Sequence, residues 1–167
     1  MIELKPLLYQ QQVLDYLQMA EKEAFDWYQS AESRSHYSDS VRLELLKSSY
    51  RLNDEDHGVY YKLASEIMLQ FDIRQDLTLY QADGESDNAA LFFTPDSVNI
   101  VFYGAILQTI SSAELKSVIA HEIGHFVLMS HSNSQFLTCS RLLQAACCGG
   151  SLDAAHLETN RRFQLMT

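Results

Sequence analysis

Residues 117–131 read SVIAHEIGHFVLMSH, an apolar stretch that carries three histidines and one glutamate. Within it, His121, Glu122, Ile123, Gly124 and His125 form an H-E-x-x-H pattern. Two residues four apart on a helix differ by about 40° around its axis, so His121 and His125 share a face and reach one tetrahedral ion. Glu122 stands beside the first histidine and leans toward a water on that ion without being a ligand. Zinc lowers the pKa of such a water toward neutrality, and the glutamate takes its proton as the hydroxide attacks an amide carbonyl. The spacing thus meets three demands of amide hydrolysis: a Lewis acid, a nucleophile and a base. A buried helix that happens to be rich in histidine is the competing reading. It is disfavoured because two imidazoles and a carboxylate are costly to bury without a task.

His131 extends the pattern to the metzincin interval, H-E-x-x-H-x-x-x-x-x-H. In that class a glycine midway ends the helix so that the third histidine swings back, and here the position is Leu128. On an unbroken helix His131 points about 80–120° away from the other two. It therefore reads as a helix-end histidine favoured by the dipole.

Immediately upstream, Ser111 or Ser112 is placed to cap this helix, with Glu114 in its first turn. Before it, LTLYQA, AALFF and VNIVFY alternate as strands, separated by the turns DGESDN and TPDS. Gly104 and AILQTI follow as a short helix or strand exit. Further back, LNDEDHG supplies capping residues and early acids for a helix over about Asp54 to Phe71, with Tyr60, Leu63 and Ile67 inward. After Pro6, the residues Val13, Leu17, Ala20, Ala24, Trp27 and Ala31 mark one stripe of a long amphipathic helix. SAESRSHYSDS loosens that pattern before a shorter helix over Val41 to Ser49. Downstream, SQFLTCSRLLQAACC is another helix, stopped by Gly149-Gly150. A last helix starts near Ser151 and shows no glycine, proline or polar stop at RRFQLMT. The expectation is a chain cut just before a remaining ligand.

At 167 residues with 47% hydrophobic content, one domain with a sizeable core is the default. Residues 1–53 would be an N-terminal helical part, and 54–167 the sheet, the H-E-x-x-H helix and its backing helices. A net charge of −10, with no basic cluster, argues against nucleic acid as a partner. The start carries no basic and apolar secretory pattern, and no apolar run approaches the roughly 18 residues of a membrane span. The cytoplasm is the simplest address. Cys139, Cys147 and Cys148 are an odd set without CxxC spacing and read as free thiols.

The run from Asn88 to Leu128, NAALFFTPDSVNIVFYGAILQTISSAELKSVIAHEIGHFVL, resembles the HtpX and CAAX-prenyl-protease type of zinc endopeptidases, a gluzincin family. The likeness covers roughly residues 54–130. It implies an α+β zincin-like domain, Zn2+ as cofactor, and a peptide or protein substrate. It also implies that a strand before the helix edges the cleft and pairs with substrate backbone. Here that edge is VNIVFY or its partner AALFF, which would put Asn88, Ala89 and Ala90 against substrate. The family's third ligand is a glutamate on a later helix, in a pattern E-x-x-A-D whose aspartate orients a ligand histidine. The later acids are Asp153 and Glu158, and ETNRR sets Arg161 and Arg162 where alanine and aspartate belong. Glu158 is the internal substitute. The reading is a zinc endopeptidase with ligands His121 and His125 and base Glu122. The alternative is a zincin-like protein-binding domain that lacks the third ligand.

Overall fold

Helix signals dominate the first 50 residues, and strand alternation sets in after residue 75. The structure, a computed structural model, describes residues 5–148, except the side chains of residues 131–133, 147 and 148. In chain order it contains α1 (Leu8–Ala20), α2 (Lys22–Gln29), α3 (Ala31–Ser48), β1 (Tyr50–Arg51) and α4 (Asp54–Gln70). Then come β2 (Asp76–Ala82), β3 (Asn88–Thr94), β4 (Ser97–Tyr103), α5 (Ile106–Thr109) and α6 (Ser112–Cys148). The class is α+β, as the residue patterns implied. No helix among the described residues is long and apolar enough to cross a membrane.

Two compact units are formed among the described residues, residues 36–127 and residues 5–35 with 128–148. The first holds the four-stranded sheet, in the order β1-β2-β4-β3. β2 and β4 are parallel, with Leu79 opposite Ile100, while β3 pairs antiparallel with β4, Leu91 opposite Ile100. VNIVFY is thus central, and its residues 98–102 are all buried. One edge is the two-residue β1 and the other is the seven-residue β3. Period-two alternation sorts the side chains onto two faces. Ala82 and Val101 cluster with Val41 and Leu45 of α3, and Phe92 packs on them. Phe93, on the opposite face, meets Phe126 of α6 at 5.2 Å between ring centroids. Asn99 is the polar exception in β4. Its amide donates to the Phe92 carbonyl at 3.1 Å and to Ser97 Oγ at 2.9 Å, which knits the β3–β4 hairpin from inside.

The second unit packs Leu14 and Leu17 of α1, Phe25 of α2, and Phe136, Cys139 and Leu143 of α6. Here the structure corrects the expected single long helix. Glu21 leaves helical geometry at φ −120° and ψ 39°, which separates α1 from α2 and resets the phase of the stripe. Trp27, expected inward, is 54% exposed, and Phe25 is buried in its place. The polar run SAESRSHYSDS breaks the helix only at its first residue, Ser30, which leaves helical geometry at φ −61° and ψ 154° and ends α2; α3 then runs through the rest of it. Ser33 and Ser38 of the run are buried, its charges and other serines lie mostly on the open side, and Val41 and Leu45 face the sheet. The helix expected from Ser151 lies outside the described residues.

Candidate metal centre and edge strand

The helix that carries the histidines starts where its cap was anticipated. The Ser111 N–H donates to Glu114 Oε2 at 2.8 Å, and the Glu114 N–H donates to Ser111 Oγ at 3.3 Å, a reciprocal capping box. The bonds from the Ser111 hydroxyl and backbone hold the Glu114 carboxyl below its ordinary range. From this start, Leu115, Ile119, Ile123 and Phe126 fall on one inward stripe and are all buried. Glu122 lies three residues after Ile119 and four before Phe126, so it shares their side and is 8% exposed. His121 is exposed and His125 half-buried, at the margin between core and solvent.

Among the described residues, His121, Glu122 and His125 bring their ligand atoms together, all within 4.8 Å of one another. The two imidazole Nε2 atoms are 3.0 Å apart, with ring planes at 89°. Two Zn–N bonds of about 2.0–2.1 Å at a tetrahedral angle set the nitrogens about 3.3 Å apart, so the pair converges as zinc ligands do. Burial, with the neighbouring His121 adding to it, lowers the His125 pKa to about 4. His125 is therefore a neutral imidazole at pH 7, with a lone pair to offer. Burial also raises the Glu122 pKa, against the opposing pulls of His121 and a bond from the Leu91 amide. A carboxylate raised in this way is a better proton acceptor than a solvated one.

The Leu91 N–H donates to Glu122 Oε2 at 2.8 Å, joining the β3 edge to the middle of the motif. Thr94 and Ser97 flank the two-residue turn and pair with each other, so the bonded rungs are 94–97, 92–99, 90–101 and 88–103. By the same alternation Ala89, Leu91 and Phe93 turn their backbone groups to the free side. Of the two strands the sequence left open, AALFF is the edge. Asn88 and Ala90 lie on it, but their amides face β4, and Ala89 has the outward pair. Leu91 was missed by sequence reasoning. Its part is played by a backbone amide, which no residue type announces.

The helix continues unbroken through Leu128, so the metzincin turn is not made. The left-handed residue, Ser134 at φ 62°, comes after His131 and not before it. The His131 side chain and all of Glu158 lie outside the described residues.

Residues 58–166 match the model of peptidase family M48, a stretch that takes in β2 to β4, the H-E-x-x-H helix and Glu158. No curated protein and no solved structure matches the chain.

Proposed function

The chain belongs to peptidase family M48, whose members are metal-dependent peptidases, and on that premise we propose that it is a zinc endopeptidase of the HtpX and CAAX-prenyl-protease type. The observation that carries the reading is the convergence of two imidazole nitrogens, 3.0 Å apart, beside a buried carboxylate tied to a sheet edge. His121 and His125 hold the metal, and Glu158 supplies the third ligand from its later position in the matched stretch. When bound, zinc supplies a Lewis acid that polarises the scissile carbonyl and acidifies water. Glu122 accepts the proton of the attacking water and returns it to the leaving amine. An extended peptide lies along the outer edge of β3, toward which Ala89, itself buried, turns its N–H and C=O. Asn88 and Ala90 hold that strand in register beside it. A cytoplasmic setting belongs to the same proposal, and the free buried thiol of Cys139 suits a reducing compartment.

The test is elemental analysis together with a casein-type assay on the purified chain and on His125→Ala. One zinc per chain, proteolysis lost with chelator, and a loss of zinc retention by orders of magnitude in the variant are expected. Unchanged metal content in His125→Ala would sink the metal site. Tight zinc without proteolysis would favour the protein-binding alternative. Glu158→Ala tests the third ligand: retained zinc and retained turnover would remove it from the site.

A further inference from the structure

The start of the edge strand is clamped by two turns seated on each other, residues 83–87 between β2 and β3 and residues 104–105 between β4 and α5. Asp87 makes the clamp. Its Oδ1 accepts the Ala105 N–H at 2.7 Å, and its Oδ2 accepts the Thr109 hydroxyl at 2.6 Å. Gly104 has φ +64°, and a Cβ there would stand 2.8 Å from Asp87 Oδ1 and 3.1 Å from the Ser86 carbonyl oxygen. That position therefore needs glycine for conformation and for space. Gly84 is close from the other side: a Cβ on it would come within 3.1 Å of Tyr103 Cβ and 3.3 Å of the Gly104 nitrogen.

The next residue, Asn88, opens β3 and pairs with Tyr103, the neighbour of Gly104. β3 has a ladder on one side only, so its ends depend on what ties them. Its far end is closed by the Thr94–Ser97 turn and by Asn99. Its middle is held by the Leu91 bond to Glu122 and by Phe93 against Phe126. Its near end, Asn88 to Ala90, has the Asp87 clamp.

We infer that Asp87 is a positioning residue for substrate, fixing the first three residues of β3 so that the outer edge of that strand is held in one register for an extended peptide. This rests on the peptidase reading of β3. It assigns to Asp87 a role in substrate affinity and not in the bond-breaking step, because Glu122 is anchored further along the strand.

The experiment compares the zinc-loaded full chain with Asp87→Ala by amide exchange and by peptide kinetics. The Ala90 amide, on a bonded rung with Val101, should exchange about tenfold faster, while the Phe92 amide is unchanged. KM should rise about three- to tenfold with kcat within about twofold, and zinc content should stay the same. Asp87→Asn, which keeps one acceptor oxygen, should fall between. Unchanged Ala90 exchange and unchanged KM would overturn the assignment, whether or not thermal stability falls. If the wild-type chain cleaves no peptide, the peptidase reading fails by itself, and unaltered Ala90 exchange would sink the clamp separately. Should Asp87→Ala not fold, Thr109→Val removes one of the two bonds and is read by the same measurements.

Discussion

Glu122 and Cys139 are both acids displaced upward by burial, yet only one of them is placed to act. Cys139 is fully buried, and burial alone pushes its thiol to about 12. The thiolate is the reactive species, so at pH 8 the fraction available is about a thousandfold below that of a solvated thiol. In a Cys147→Ser, Cys148→Ser background, Cys139 should resist a thiol reagent until denaturant is added. Prompt labelling of the folded chain would show that the site is open. Glu122 differs because His121 and the Leu91 amide stabilise its charged form against burial. Glu122→Gln should keep zinc and fold while turnover falls by about 10²–10⁴, the worth of a general base. Loss of the metal in that variant would make Glu122 structural. The convergence of His121, Glu122 and His125 was legible because helical spacing is a local property, set within five residues.

Elements depend on neighbours, and here legibility divides. The cap at Ser111 was readable from S-x-x-E because both partners lie within one turn. The break at Glu21 was not, since glutamate is a good helix former and nothing local forces it out of the helix. Without the break, Trp27 continues the apolar stripe; with it, Phe25 does. The edge position of β3 was equally hidden, because AALFF and VNIVFY are both apolar runs. The helix–sheet contact is open to test through Phe126, 2% exposed and tilted against Phe93. Phe126→Ala should destabilise the chain by about 3–5 kcal/mol in urea unfolding, as deletions of buried aromatics do. A change under about 1 kcal/mol would mean that the ring is not in a packed core. The Leu91–Glu122 bond gives a second prediction at this scale. In Glu122→Ala the Leu91 amide should exchange faster, while the ladder amide of Phe92 keeps its protection. Equal loss at both would show that the whole strand had been disturbed.

For the molecule as a whole, metal binding and stability are linked. A ligand that binds the folded chain alone, at a hundred times its Kd, adds about 2.7 kcal/mol. Zinc should therefore raise the thermal midpoint and a chelator lower it, with His125→Ala indifferent to both. A midpoint that ignores zinc in the wild-type chain would contradict a site made by folding. The unit that contains both histidines, residues 36–127, is where the effect should be largest, read by amide exchange in β4 and the first turns of α6.

The sequence by itself determined the class and which side chains converge on the helix. H-E-x-x-H on an apolar helix, three strand-period runs before it and a helical period elsewhere all follow from spacings of two to four residues, which any local reading can follow. Tertiary structure alone decided which strand lies at the edge, that the Leu91 amide meets Glu122 across 31 positions of chain, and that Asp87 bridges two turns 18 residues apart. Those outcomes depend on the strand order β1-β2-β4-β3. That order is settled by which faces can be buried together, and alternating apolar residues specify that a face is buried without specifying its partner.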